Sequence, residues 1–220
     1  MVNNNMIKTY GCSSTQYRWQ TWPDFLKIFS KQTVKNFGIS GASNEIISRT
    51  ICKTAKKDDI IVVMWSMFDR VHSDIFYKKN KFCEGKYNSR SDRKDNNYAY
   101  SLEQLYDRSV EYIWLANKFC NDNNIKIYNF LVTIFELGET KSIQQFSPYL
   151  KIDHHKWPID FGSFRLSHKK VGKEIKDAHP APSEHYFYCK EVICPTLGIK
   201  TFDIPLEQLK KLDDARIENK

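Results

Sequence analysis

No run of apolar residues in this chain approaches the roughly 20 that a helix needs to cross a bilayer, so a soluble protein without a membrane span is expected. From Met1 to Lys8 asparagines stand where a secretory signal needs an apolar stretch, and no small-residue cleavage motif follows, so no signal peptide is read there. The six cysteines, Cys12, Cys52, Cys83, Cys120, Cys189 and Cys194, lack the close pairs of zinc sites and the density of small secreted scaffolds. They read as reduced thiols. Neither the phosphate-loop pattern nor the full glycine set of a dinucleotide-binding turn is present. Internal repeats and low-complexity tracts are also missing. The formal charge of +8 concentrates in Lys78 to Lys94 and in the tail, and no nucleic-acid module signature accompanies it. Nucleic acid is therefore not the expected partner.

What remains is the composition of a globular protein, 41% apolar and 27% charged in 220 residues, enough for one substantial core. Short apolar stretches alternate with amphipathic ones, the pattern of βαβ units around a mostly parallel sheet. Met6 to Tyr10, Thr33 to Phe37, Ile60 to Trp65 and Ile125 to Thr133 read as strands. Ile60 to Trp65, β-branched and without polar alternation, should be central and covered on both faces. Helices are expected after Thr21-Trp22-Pro23-Asp24, from Ser43 to Ala55, from Leu102 to Cys120, over Leu166 to Lys176 and over Ser183 to Ile193. The stretch 71–100 is polar, basic and aperiodic, and reads as an insertion or lid. Phe135 to Phe164 reads as aromatic-rich and irregular.

Chemistry concentrates in three places. Gly11-Cys12-Ser13-Ser14 follows the first strand, where glycine permits a sharp turn and a serine lies near backbone N–H groups able to stabilise negative charge. Gly38-Ile39-Ser40-Gly41 follows the second strand and leads to Asn44. Asp177-Ala178-His179-Pro180 lies near the C-terminus. There a histidine can take a proton from a serine hydroxyl while a carboxylate fixes its tautomer.

In combination the three resemble the SGNH (GDSL-type) hydrolase family. Its first block is Gly-Asp-Ser, its second carries an oxyanion glycine, and its last is Asp-x-x-His-Pro. The resemblance spans about Ile7 to Leu197 and implies a three-layer α/β/α sandwich with a mostly parallel, flavodoxin-like sheet over 1–220. It also implies Ser13 as nucleophile, Gly41 as oxyanion donor and His179 as base. Cysteine replaces the first-block aspartate. The third block, Gly-x-Asn-Asp, is here Trp65-Ser66-Met67-Phe68-Asp69-Arg70, so Ser66 or Arg70 would stand in for the missing asparagine. Asp177 lies two residues before His179 rather than three, leaving a backbone carbonyl or Asp160 as rival orienting groups.

The expectation is a serine esterase acting on a small acyl ester through a Ser13 acyl-enzyme, with O-acetylated carbohydrate as the preferred substrate class. Asn44, Trp65 and Arg70 are the expected substrate contacts, and no cofactor is called for. The alternative is a catalytically silent binding module of a virus particle or a polysaccharide system, so the expected location is cytoplasmic or virion-associated. Asp153-His154-His155 reads as a loop rather than a metal site, because adjacent histidines in a strand face opposite ways. Trp19, Trp22, Trp157 and the tyrosines from Tyr98 to Tyr112 are candidates for a carbohydrate platform, with more of them expected in the core.

Overall fold

The computed structural model describes residues 6–68, 70, 72–78, 81–86, 102–132, 157–168, 171–172, 176–177 and 179–218, with 72–78, 81–86, 102–106 and 217–218 described as backbone. Four strands form a parallel sheet: β1 (Ile7–Gly11), β2 (Val34–Asn36), β3 (Ile60–Trp65) and a last strand, Lys126–Leu131, numbered β6 below. Their spatial order is β2-β1-β3-β6, with β3 in the interior as its β-branched run demands. Ile7 pairs with both Val34 and Ile60, and Ile60 pairs in turn with Lys126.

Period-two alternation along β3 divides the core. Ile61, Val63 and Trp65 face one layer, and Val62 and Met64 face the other. Helix α1 (Trp22–Ser30) covers the second face with Trp22, Phe25, Leu26 and Phe29, spaced as one stripe of a helix. Helices α2 (Asn44–Thr54) and α3 (Leu102–Asp122) cover the first with Ile47, Ile51, Ile113, Ala116 and Cys120. A sheet with helices on both faces is a three-layer α/β/α architecture.

Between β3 and α3, within the expected insertion, β4 (His72–Lys78) and β5 (Lys81–Lys86) form an antiparallel hairpin. The rest of the basic loop, the Asp153-His154-His155 cluster and most of the aromatic stretch after β6 lie outside the described residues.

Toward the C-terminus the boundaries differ from the sequence reading. Helix α4 spans Phe161–Ser167, not Leu166 to Lys176, because Asp160 caps it by accepting from the Ser163 N–H at 3.0 Å. Asp160 is thereby removed as a rival orienting carboxylate. Helix α5 (Pro182–Tyr188) runs through a π-helical turn (Cys189–Ile193) into α6 (Cys194–Leu197), which Gly198 ends in the left-handed region. The basic tail, read only as charge, forms α7 (Leu206–Glu218), with Leu209 and Asp213 buried. Among the described residues the cysteines are free thiols, and no helix is long and apolar enough to cross a membrane.

Candidate active site

In the spatial order β2-β1-β3-β6 the chain leaves β1 in opposite directions to make β2 and β3. That reversal opens a crevice at the carboxyl ends of β1 and β3, where parallel sheets place their ligands. Ser13 follows β1 and Ser66 follows β3, so both lie at this crevice.

The Ser13 turn is built on Gly11. A Cβ there would sit 2.0 Å from Thr15 Oγ1 and 2.7 Å from the Met64 carbonyl, and its φ of +157° disfavours any side chain. The Cys12 carbonyl accepts from the N–H groups of Thr15 and Gln16 at 2.9 and 3.0 Å, which curls Ser13 into a single helical turn. The Thr15 carbonyl then receives the Thr21 hydroxyl and the Asn36 amide, both at 2.8 Å. Asn36 also accepts from Thr9 Oγ1 and the Gly38 N–H, tying the Ser13 turn to β1 and to the second-block loop. Ser13 itself is 6% exposed.

The last block comes to this turn through the residues just after Ser13. Asp177 Oδ1 lies 2.7 Å from His179 Nδ1 and accepts the His179 backbone N–H at 2.9 Å. Its other oxygen accepts from the Tyr17 hydroxyl at 2.9 Å and from Arg18 Nη2 at 2.7 Å. The Tyr17 ring stacks on the imidazole, centroids 3.9 Å apart, and Trp19 Nε1 donates to the Pro180 carbonyl at 2.8 Å. Desolvation by burial pushes the Asp177 carboxyl up. The hydrogen bonds from the His179 backbone and ring and from Tyr17 outweigh it and hold the group well below the usual carboxylate range. The Tyr17 hydroxyl is pushed up, by burial and by its bond to Asp177. Asp177 is therefore an ionised acceptor committed to His179. Among the described residues no hydrogen bond joins Ser13 to His179.

At the second and third blocks, Gly41 has a φ of +76°, in the left-handed region that glycine tolerates. Ile39 N–H donates to the Gly11 carbonyl at 2.9 Å, setting this loop beside the Ser13 turn. Asn44 and Trp65, expected as substrate contacts, are both buried and bonded within the protein. Asn44 is fully buried, its Oδ1 accepting the Ser66 N–H at 2.8 Å and its Nδ2 donating to the Ser66 carbonyl at 3.2 Å, so it clamps α2 to the end of β3. Trp65 is fully buried in the core and donates to Asn129 Oδ1 at 2.9 Å. The hydroxyls of Ser43 and Ser66 and the Nε and Nη1 of Arg70 are buried and have no hydrogen-bond partner.

Beside the His179 loop lies a cleft of about 370 Å³, lined by Gln16, Tyr17, Trp19, Asp24 and Arg216 among others. The guanidinium carbons of Arg18 and Arg216 lie 5.1 and 5.6 Å from the Trp19 ring centroid. Tyr17, Arg18 and Asn36 are not singled out as site residues by the sequence, and Trp19 only as a candidate for a carbohydrate platform. Nothing local distinguishes an aromatic-rich loop that grips a distant histidine from one that packs in the core, and their partners at 177–180 are some 160 residues away.

No protein-family model matches the chain, and no curated protein matches it in sequence. Among solved structures it is similar to a protein from Desulfitobacterium hafniense DCB-2 described as lipolytic and of the G-D-S-L family, at 10% identity and TM-score 0.46 over 83% of this chain and 94% of that one. It is also similar to a protein from Slackia heliotrinireducens described as an SGNH hydrolase, at 14% identity and TM-score 0.47 over 88% and 99% of the two chains. A third, from Bacteroides fragilis NCTC 9343 and described as an acylhydrolase, shows 17% identity and TM-score 0.48 over 96% and 90%.

Proposed function

We propose that this chain is a serine esterase in which Ser13 attacks a small acyl ester, His179 moves the proton and Asp177 orients the imidazole. The observation that carries the reading is the Asp177–His179 pair, gripped by Tyr17, Arg18 and Trp19 of the segment that begins at Ser13. With Nδ1 turned to Asp177, Nε2 is the nitrogen left for chemistry. It takes the Ser13 proton as Oγ bonds to the ester carbon. The resulting oxyanion is met by the N–H groups of Ser13 and Gly41 and by the Ser66 hydroxyl. As the tetrahedral carbon collapses, His179 returns the proton to the departing alcohol, leaving the acyl group on Ser13. Water, deprotonated by the same nitrogen, then releases the acid and restores the serine.

The alcohol departs from beside His179, so the cleft at Tyr17 and Trp19 holds the alcohol half of the ester. Half-buried aromatic faces flanked by polar side chains suit the apolar faces and hydroxyls of a sugar, which supports an O-acetylated carbohydrate as substrate. The burial of Ser13 and its separation from any His179 hydrogen bond favour a second reading, a silent binding module.

The test is hydrolysis of p-nitrophenyl acetate by the purified protein, and acetate release from O-acetylated glycans, alongside Ser13→Ala and His179→Ala. Activity that falls by at least about 10³-fold in both variants is expected. Equal residual rates in all three proteins would leave the binding module as the surviving reading.

A further inference from the structure

We infer that Tyr17 is a positioning residue for the reaction, its ring placed to receive the positive charge that His179 acquires when Ser13 gives up its proton. The inference rests on the esterase reading for the origin of that charge, and on the geometry alone for the ring that meets it.

Tyr17 lies four residues after Ser13, in a turn held by the Thr21 and Asn36 bonds to the Thr15 carbonyl and by the bond from Asn36 Nδ2 to the Gln16 side chain at 2.9 Å. It is half-buried and belongs to neither core layer. Its contacts are with the last block instead. The hydroxyl donates to Asp177 Oδ2 at 2.9 Å, and the ring lies against the His179 imidazole with centroids 3.9 Å apart and planes 20° apart. Burial and the bond to Asp177 push the phenol up from its ordinary value, so it remains a donor. One side chain thus touches both the base and the carboxylate that orients it.

Two neutral aromatic rings prefer an offset or edge-on arrangement with centroids about 4.5 to 7 Å apart, because their negative faces repel. Trp19 meets Tyr17 in that way, at 4.5 Å and 74°. The imidazole is closer and nearly parallel. A negative ring face attracts a cation, and an imidazolium is a cation where neutral imidazole is not. The stack therefore strengthens as the Ser13 proton reaches Nε2, and an interaction stronger in the transition state than in the ground state is one that speeds the chemical step. The same geometry recurs away from the site, where His168 stacks on Phe164 at 3.8 Å and 21° while its Nε2 lies 3.0 Å from Glu191 Oε2.

The charged groups around the imidazole leave this role to Tyr17. Asp177 faces Nδ1. Arg18 Nη2 pairs with the other oxygen of Asp177 at 2.7 Å, and its guanidinium carbon is 5.7 Å from the Tyr17 centroid, well beyond the imidazole. From α5, His185 interacts electrostatically with His179 but is kept neutral by its burial, so it brings no rival charge. From α7, Arg216 lies over Trp19.

The experiment follows kcat/KM against pH on p-nitrophenyl acetate for wild type, Tyr17→Phe and Tyr17→Leu. Over the same pH range NMR follows the His179 ring protons, identified by their loss in His179→Gln. Tyr17→Phe keeps the ring face and loses the hydroxyl; Tyr17→Leu loses both. A cation on an aromatic face corresponds to about a 2- to 30-fold effect. On the plateau of the profile Tyr17→Leu should therefore fall by up to that factor below Tyr17→Phe. The acid limb of its profile and the midpoint of the His179 signal should move to lower pH, by up to about 1.5 pH units, and neither should move down in Tyr17→Phe. His168 is the internal control and should titrate alike in all three proteins. Equal plateau rates in the two variants, or a His179 midpoint that does not fall in Tyr17→Leu, would overturn the inference and leave the hydroxyl as the whole of the residue's role. A Tyr17→Leu chain that fails to fold would also overturn it, by making the ring a structural contact. Should wild type not hydrolyse the ester, the esterase reading fails on its own, and the NMR titration still decides: a midpoint lower in Tyr17→Leu than in Tyr17→Phe upholds the stack, and a common midpoint overturns it.

Discussion

At the scale of single residues, Asp177 is fully engaged, since each of its oxygens accepts two donors. Its carboxyl is held below its unfolded value, so the stabilisation it supplies is complete above about pH 4 and is lost only as pH falls through the depressed folded value. Asp177→Asn should lower kcat on an activated ester by about 10²- to 10⁴-fold, because the amide cannot hold the same imidazole tautomer. It should also lose stability at pH 7, by about 1.5 to 3 kcal/mol for hydrogen bonds to a charged group. The gap between the thermal melts of the two proteins should be full at pH 7 and smaller near pH 3, where it has begun to close. Equal gaps at both would mean the carboxylate is not what the donors recognise.

His185 has the opposite problem. It is fully buried, its Nδ1 lacks a partner, and burial, followed by the charges of Arg165 and His179, holds its pKa well below 6.5. Below about pH 6.5 the unfolded chain binds a proton there that the folded chain refuses. Stability should therefore fall with falling pH at up to about 1.4 kcal/mol per unit. Denaturant titrations at pH 7.5, 6.5 and 5.5 should show a flatter profile for His185→Gln than for wild type. Superimposable slopes would place the acid sensitivity elsewhere.

At the scale of elements, legibility followed local physics. β3 was readable because an unbroken apolar β-branched run fits a strand covered on both faces, and α1 because Trp22, Phe25, Leu26 and Phe29 lie on one helical stripe. Helix α4 was misplaced by several residues because its start is fixed by the carboxylate of Asp160, a residue that reads equally well as part of a polar loop. Helix α7 escaped notice since only Leu209, and partly Leu212, reach the core, and its charged residues looked like a solvated tail.

One of those charges has a structural task. Asp213 on α7 accepts the N–H and hydroxyl of Ser183 at 2.9 and 2.6 Å and the Gly172 N–H at 3.1 Å. It thus caps the first turn of α5, three residues after Pro180, from another helix. Asp213→Ala should cost about 1 to 3 kcal/mol in denaturant unfolding, since it leaves buried donors unmet. The protein that still folds should show a raised rate of His179-loop cleavage by protease. Unchanged stability would mean that water replaces the carboxylate.

At the scale of the whole molecule, the site exists because a parallel sheet reverses its winding between β1 and β3, bringing the ends of two strands and the start of α2 to one crevice. The motifs at Ser13, Gly41 and His179 were visible in sequence since each is short and local. The joints between them were not, since Asn44 to Ser66 spans 22 residues and Tyr17 to Asp177 spans 160. Asn44 is the clearest test of such a joint. Read from sequence as a substrate contact, it instead closes two hydrogen bonds on the backbone of Ser66 in a fully buried position. Asn44→Ala leaves a buried N–H and carbonyl unmet and should destabilise by about 2 to 4 kcal/mol. Asn44→Asp keeps the acceptor for the Ser66 N–H but sets a carboxylate oxygen against the Ser66 carbonyl, so it should be no better than alanine. If Gly41 and Ser66 flank the oxyanion as proposed, both variants should lower kcat on a small neutral ester more than they raise KM, because the clamp fixes the end of β3 against α2 rather than reaching the surface. A rise in KM at constant kcat would return Asn44 to the substrate-binding role that its motif suggested.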